Sequence, residues 1–147
     1  MTDPASNQQF VSDILTDLGA TTFIPTGQAG GIDLVVRTAD RKYVEIRLIS
    51  LSAHILSTGN FRPHNALYII GVLQKQDLPS ECWVIPSHVM ERYGSKSDNG
   101  YSLNLDPTEG LSFEIYRDRW KLITEFSTYE QIARDPSSLQ IRLALDS

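Results

Sequence analysis

The sequence predicts an α/β domain, and three observations predict it. Phe10, Val11, Ile14, Leu15 and Leu18 recur at helical spacing near the start of the chain. Two stretches of period-two alternation follow, 32–37 and 42–49, joined by a short turn. A continuous apolar run from Leu67 to Leu73 then has the character of a strand buried on both faces. Helix-period and strand-period segments interleaved in this way define the α/β class.

The elements read in order as follows. Pro4 suits the first turn of a helix behind Asp3, and Gly19 suits its end. Thr21 to Pro25 reads as a short strand. The loop Thr26-Gly27-Gln28-Ala29-Gly30-Gly31 then lets the backbone turn ahead of Asp33. Ile32 to Arg37 and Lys42 to Ile49 read as two strands joined by a tight turn through Thr38-Ala39-Asp40. Ser50 to Asn65, with Gly59, Asn60 and Pro63, reads as a loop with at most a short helix. Leu67 to Leu73 and Glu81 to Ile85 read as strands around a polar segment, 74–80. A short helix opens at Pro86-Ser87 and runs through Tyr93, with Ser87 as its cap. Ser95 to Gly100 reads as a polar loop, Tyr101 to Leu105 as an edge strand, and 120–123 and 129–134 as helical. Leu139 to Leu145 alternates like a strand, offering an exposed edge for pairing.

The bulk properties narrow the classes. A chain of 147 residues, 41% hydrophobic and 21% charged, fits one globular domain with a sizeable core. No apolar run is long enough to span a bilayer, and the polar start Met1-Thr2-Asp3-Pro4-Ala5-Ser6 lacks the pattern of a signal peptide. The lone Cys82 excludes disulfides within the chain. A cytoplasmic protein without a membrane partner is the expectation. The formal net charge of -5 counts against tight, non-specific nucleic-acid binding, so any basic face must be local. It does not exclude a nuclease whose carboxylates are neutralised by a cation.

The chemistry concentrates between Gly31 and Arg47. On a strand through 42–49, Glu45 and Arg47 share a face. An odd-length turn such as Thr38-Ala39-Asp40 would set Asp33 opposite Glu45 on that face, and a two-residue turn at Ala39-Asp40 would break the pairing. The geometry is permitted rather than forced. Two carboxylates converging in this way favour a hard cation, which magnesium satisfies with phosphate oxygens and water. Such a metal polarises a phosphate and activates water, and an adjacent guanidinium stabilises developing charge.

Gly31-Ile32-Asp33, a hairpin, and then Glu45-Ile46-Arg47 resembles the pattern of the PD-(D/E)XK nuclease-like superfamily. The flanks are similar as well. They comprise a helix closing at Leu15 to Gly19, the later strand Ala66-Leu67-Tyr68-Ile69-Ile70-Gly71-Val72, and the strand-to-helix step Trp83-Val84-Ile85-Pro86-Ser87. Tyr116-Arg117-Asp118-Arg119-Trp120 is similar to the C-terminal element of small members. The resemblance spans roughly residues 5 to 123. It implies a restriction-endonuclease-like core, a mixed central β-sheet flanked by helices. It further implies magnesium or manganese held by Asp33, Glu45 and the backbone carbonyl of Ile46, with nucleic acid as substrate. Two positions depart from the pattern. Arg47 stands for the motif lysine and cannot act as a base. Gln8 and Gln9 are the nearest candidates for the glutamate many members carry on the first helix, and Gln8 is left to position water or a ligand.

Plainer readings stand beside these. Asp33 can cap a turn, and Glu45 with Arg47 can be a strand ion pair. His54, His64 and His88 lack metal-ligand spacing and read as loop and helix-start residues. Cys82, Trp83 and Trp120 read as packing residues, and Arg117, Arg119 and Lys121 as a solvated face. The functional expectation is a metal-dependent nuclease. The alternatives are a catalytically inactive interaction or accessory protein on the same fold, acting through a protein partner or a second copy of itself, and an α/β domain with a coincidental motif.

Overall fold

The computed structural model describes residues 4–26, 31–75, 78–106 and 113–146. Helix α1 spans Pro4–Asp17. Its buried stripe is Val11 and Leu15, and it is narrower than expected, since Phe10 and Leu18 are exposed. Gly19, at φ +99°, ends the helix: its amide donates to Thr16 O and that of Ala20 to Leu15 O. These paired bonds satisfy carbonyls the last turn would leave open.

Strands β1 (Thr21–Phe23), β2 (Leu34–Arg37), β3 (Tyr43–Leu51), β5 (Leu67–Lys75) and β6 (Leu78–Pro86) form one sheet in the order β1-β2-β3-β5-β6. β3 and β5 are parallel and the other pairs antiparallel, so the sheet is mixed. β5 is buried from Leu67 to Leu73, as its apolar run requires. Each large side chain there contributes roughly 1.5–3 kcal/mol.

The parallel β3–β5 connection needs a crossover, which is usually a helix. Here it contains strand β4, Ile55–Thr58, where the sequence reading expected a loop. β4 alternates in burial, but Ile55 faces out and Thr58 faces in, so its hydropathy hides the strand. β4 belongs to a second sheet, ordered β4-β8-β7, with β7 at Ser95–Ser97 and β8 at Gly100–Asn104. The expected polar loop is therefore partly β7, whose residues are all exposed and leave no periodicity to read. β8 is the central strand of its sheet rather than an edge.

Helix α2, Ser87–Tyr93, follows β6 directly. Short helices α3 (Lys121–Thr124) and α4 (Phe126–Tyr129) bring Leu122, Ile123, Phe126 and Tyr129 into the core. The C-terminal segment is helix α5, Pro136–Leu145, and not a strand. Leu139 and Leu143, one turn apart, are buried, whereas Ile141 and Leu145 are 64% and 76% exposed. Asp135 caps the helix by accepting from Ser137 N, and Pro136 occupies its first turn. The strand edge expected here for pairing does not exist. Trp83 and Trp120 are core residues, and burial pushes the Cys82 thiol up to about 12, which leaves it inert.

Candidate functional site

The site is built on the β2–β3 hairpin. Thr38 N donates to Lys42 O and Arg41 N to Thr38 O, so the loop is Ala39-Asp40-Arg41. Its length is odd, as the sequence reading required, but its centre lies one residue later. Val35 consequently faces Glu45 and Leu34 faces Ile46. The paired register ends at Leu34 and Ile46, so the expected pairing of Asp33 with Glu45 does not form. Val35, Glu45 and Arg47 still share a half-buried face, because a shift of the turn centre by one whole residue preserves parity.

Asp33 lies just before β2 begins. Its amide donates to Ile46 O at 2.8 Å, and its Oδ2 accepts from Leu48 N at 2.7 Å. Ile46 and Leu48 turn their backbone groups toward the same neighbour, yet β2 does not reach Leu48. The Asp33 carboxylate replaces the missing strand there. This answers an amide that would otherwise have no ladder partner on that side.

His64 is a neighbour of Glu45 that the sequence reading did not place there. Its Nε2 lies 3.0 Å from Glu45 Oε1. Its Nδ1 accepts from Ala66 N at 3.3 Å, so the Nε2 nitrogen carries the proton and donates to Glu45. The crossover explains the meeting. Glu45 N donates to Ala66 O, and Glu45 pairs with Leu67, so the end of the crossover must pass beside Glu45. Ser87 fixes it further: the fully buried hydroxyl donates to His64 O at 2.8 Å and accepts from His64 N at 3.0 Å. Ser87 is thus not the helix cap expected of it, since no side chain caps α2. His88 Nε2 meets Asn65 Oδ1 at 3.1 Å, and burial holds the ring below its ordinary value. No sequence spacing could have paired His64 with Glu45, because the contact depends on the parallel register.

Arg47 packs against Gly31: a methyl group there would sit 3.2 Å from Arg47 Cζ, and Gly31 has φ +73°. The positive φ favours glycine there, and a methyl group would make the guanidinium shift by a few tenths of an ångström. Gly27 to Gly30 lie outside the described residues. Arg47 Cζ is 5.7 Å from the Phe61 ring centre, Phe61 is 4.9 Å from Tyr101, and Lys96 Nζ is 4.5 Å from Tyr101. A cation–aromatic–aromatic–cation row therefore runs from the hairpin onto the second sheet. From α1, Gln8 Nε2 donates to Asp33 O at 3.0 Å, and the buried Asn7 donates to Ser50 Oγ at 2.6 Å. Gln8 thereby braces the Asp33 segment.

The densest basic cluster has structural partners. Arg117 pairs with Glu81 at 3.1 Å and Glu114 at 3.5 Å, Arg119 Nε donates to Ile115 O, and Lys121 reaches Asp146 O. A hydrogen bond from Lys75, with the charges of Arg117, Lys75 and His54, holds the Glu81 carboxyl below its ordinary value despite its burial.

The oxygen donors at the hairpin match a hard cation in kind: the Asp33 and Glu45 carboxylates and the Ile46 carbonyl. One oxygen of each carboxylate already has a protein partner, and Ile46 O accepts from Asp33 N. Among the described residues no three His, Cys, Asp or Glu side chains gather as a metal-binding group. The set suits a cation completed by water and a phosphate rather than a closed protein cage.

No protein-family model matches the chain, and no curated protein matches its sequence. Among solved structures, the chain is similar to a bacterial homing endonuclease, I-Ssp6803I, with a TM-score of 0.65 and 14% identity, over 84% of this chain and 92% of that one. The Holliday junction resolvase Hjc of Archaeoglobus fulgidus aligns with a TM-score of 0.48 and 11% identity, over 85% of this chain and 98% of that one. The fold is restriction-endonuclease-like, an α/β architecture with a mixed central sheet flanked by helices.

Proposed function

We propose that this chain is a single nuclease-like domain that acts on nucleic acid through a magnesium or manganese site at Asp33 and Glu45, with Ile46 O as a third donor. What supports this reading is that Asp33, whose carboxylate accepts from Leu48 N, and the β3 residues Glu45 and Arg47 all belong to the β2–β3 hairpin of a restriction-endonuclease-like sheet. Bound there, the cation supplies positive charge to the scissile phosphate and activation to the attacking water.

The protein's own groups divide the remaining work. The Leu48 amide fixes one oxygen of Asp33 and the His64 imidazole fixes one oxygen of Glu45, which leaves the other oxygen of each as donor. Arg47, steadied by Gly31 and Phe61, offers permanent charge to the phosphate but no base, so proton removal falls to solvent. Gln8 holds the Asp33 segment through its amide nitrogen, and its oxygen remains to orient water.

A second reading is an inactive accessory protein on this fold, binding nucleic acid, a protein partner or a second copy. It is favoured by the protein partners that both carboxylates already have, together with Arg47 at the motif-lysine position. Among the described residues no helix is long and apolar enough to cross a membrane, and a cytoplasmic location belongs to both readings.

The test is cleavage of DNA and RNA substrates with magnesium, manganese or a chelator. The enzyme reading expects metal-dependent cleavage that Asp33→Asn and Glu45→Gln abolish and Arg47→Lys preserves or raises. Cleavage that persists in both carboxylate variants defeats it. Absence of cleavage with nucleic-acid binding intact supports the accessory reading.

A further inference from the structure

We infer that a second pocket, at the turn end of the β2–β3 hairpin, binds a phosphate group. The cavity is about 420 Å³ and is lined by Thr21, Arg37, Thr38, Arg41 and Tyr43, among others. Two guanidinium groups with the hydroxyls of Thr21 and Tyr43 in one polar cavity are donors that a phosphate recognises.

Further observations point the same way. Arg117 and Arg142 are paired with carboxylates, but among the described residues neither Arg37 nor Arg41 is within ion-pair distance of one. The nearby carboxylate, Asp40, does not line the cavity, because Thr38 Oγ1 and Ser127 Oγ hold it. Arg41 has φ +66°, in the left-handed region, at a loop position that usually carries glycine. The turn thus holds an arginine against the local backbone preference. Arg37, for its part, is packed over the Phe23 ring at 5.8 Å.

The pocket continues the candidate site. Arg37 pairs with Tyr43 and Val35 with Glu45, so Tyr43 and Glu45 are two residues apart on one face of β3. Their separation along the strand is about 6.8 Å, comparable to that of neighbouring phosphates in an extended nucleic-acid strand. The pocket is therefore assigned to a phosphate flanking the one at Asp33 and Glu45. That assignment to a strand rests on the function proposed above, whereas phosphate recognition by the pocket does not.

The experiment measures oligonucleotide binding by anisotropy across a salt series, using duplex and single strands with 5′-phosphate or 5′-hydroxyl ends, and binding of inorganic phosphate by titration calorimetry. Arg41→Gly is the principal variant, because glycine relieves the positive φ and keeps the fold. Arg37→Gln is the second variant, and Arg142→Gln controls for the lost charge. Arg41→Gly and Arg37→Gln should each weaken strand binding about tenfold. They should also flatten the slope of log K against log salt by about 0.9 on duplex or 0.7 on single strands. Arg142→Gln should do neither. A tenfold loss confined to 5′-phosphorylated strands makes the ligand a terminal phosphate, and an equal loss on both ends makes it a backbone phosphate. Strand and phosphate binding unchanged in both pocket variants overturns the pocket and leaves the nucleic-acid reading standing. Phosphate binding that Arg41→Gly removes, in a protein that binds no strand, supports the pocket and overturns the nucleic-acid reading. If the unaltered protein binds neither, both fall.

Discussion

Replacing Asp33 with alanine separates the structural work of this residue from its proposed work as a ligand. The Leu48 amide donates to Asp33 Oδ2 at 2.7 Å on a half-buried edge of β3, where β2 has not yet begun. A hydrogen bond to a charged group contributes roughly 1.5–3 kcal/mol. Water can partly answer an amide at this half-covered edge, so about 1.5–2 kcal/mol should be lost. In a domain of this size each kcal/mol moves Tm by roughly 3 °C, so Asp33→Ala should melt about 5 °C lower. Asp33→Asn keeps an acceptor oxygen and should lose about half as much. Manganese should raise the Tm of the unaltered protein and of neither variant, because both lack the carboxylate. Thermal unfolding followed by circular dichroism, with and without manganese, measures all of this. An alanine variant that melts with the parent refutes the capping argument. A manganese-dependent rise that persists in both variants refutes the metal argument.

The Glu81 carboxyl is nearly buried among Lys75, Arg117 and His54, and its pKa is lowered in the folded state. Its ionised form therefore stabilises the fold fully above the ordinary value of 4.5, and the gain is lost as pH falls through the folded-state value. Glu81→Gln should accordingly lower Tm at pH 7, and the gap from the parent should close in acid titration melts. On α5, Leu143→Ala should cost about 2–4 kcal/mol in urea unfolding and Ile141→Glu under about 0.5. Equal costs would favour the alternating strand over the helix. Gly100 has φ +137°, and a methyl group there would collide with Thr58 O, so Gly100→Ala should unpair β4 from β8 and cost about 2 kcal/mol or more, with lost amide protection at 55–58 and 101–104 as the readout.

What could be read from the sequence was whatever local periodicity dictates. α1 and its glycine stop, the β2–β3 hairpin and the buried β5 follow from spacing that any neighbour would have to respect. The second sheet was hidden because Ser95-Lys96-Ser97 is exposed throughout and because Ile55 faces outward. α5 was misread because Leu139, Ile141, Leu143 and Leu145 alternate by coincidence. Asp135-Pro136 was the available signal, a capping residue with proline in the first turn. At the site, the common face of Glu45 and Arg47 was legible from parity, whereas the turn centre, and with it the neighbour of Asp33, was not. His64 at Glu45 and Ser87 behind His64 depend on a parallel pairing of distant segments, which no local pattern encodes.

The central claim is a cation site at Asp33 and Glu45, and titration calorimetry with manganese tests it most directly. The unaltered protein should bind manganese, Asp33→Asn/Glu45→Gln should not, and the double variant should keep the fold at somewhat lower Tm because the amide oxygens still accept from Leu48 N and His64 Nε2. Equal binding by parent and double variant, or none by the parent with or without a cleavage-resistant oligonucleotide present, would contradict the account.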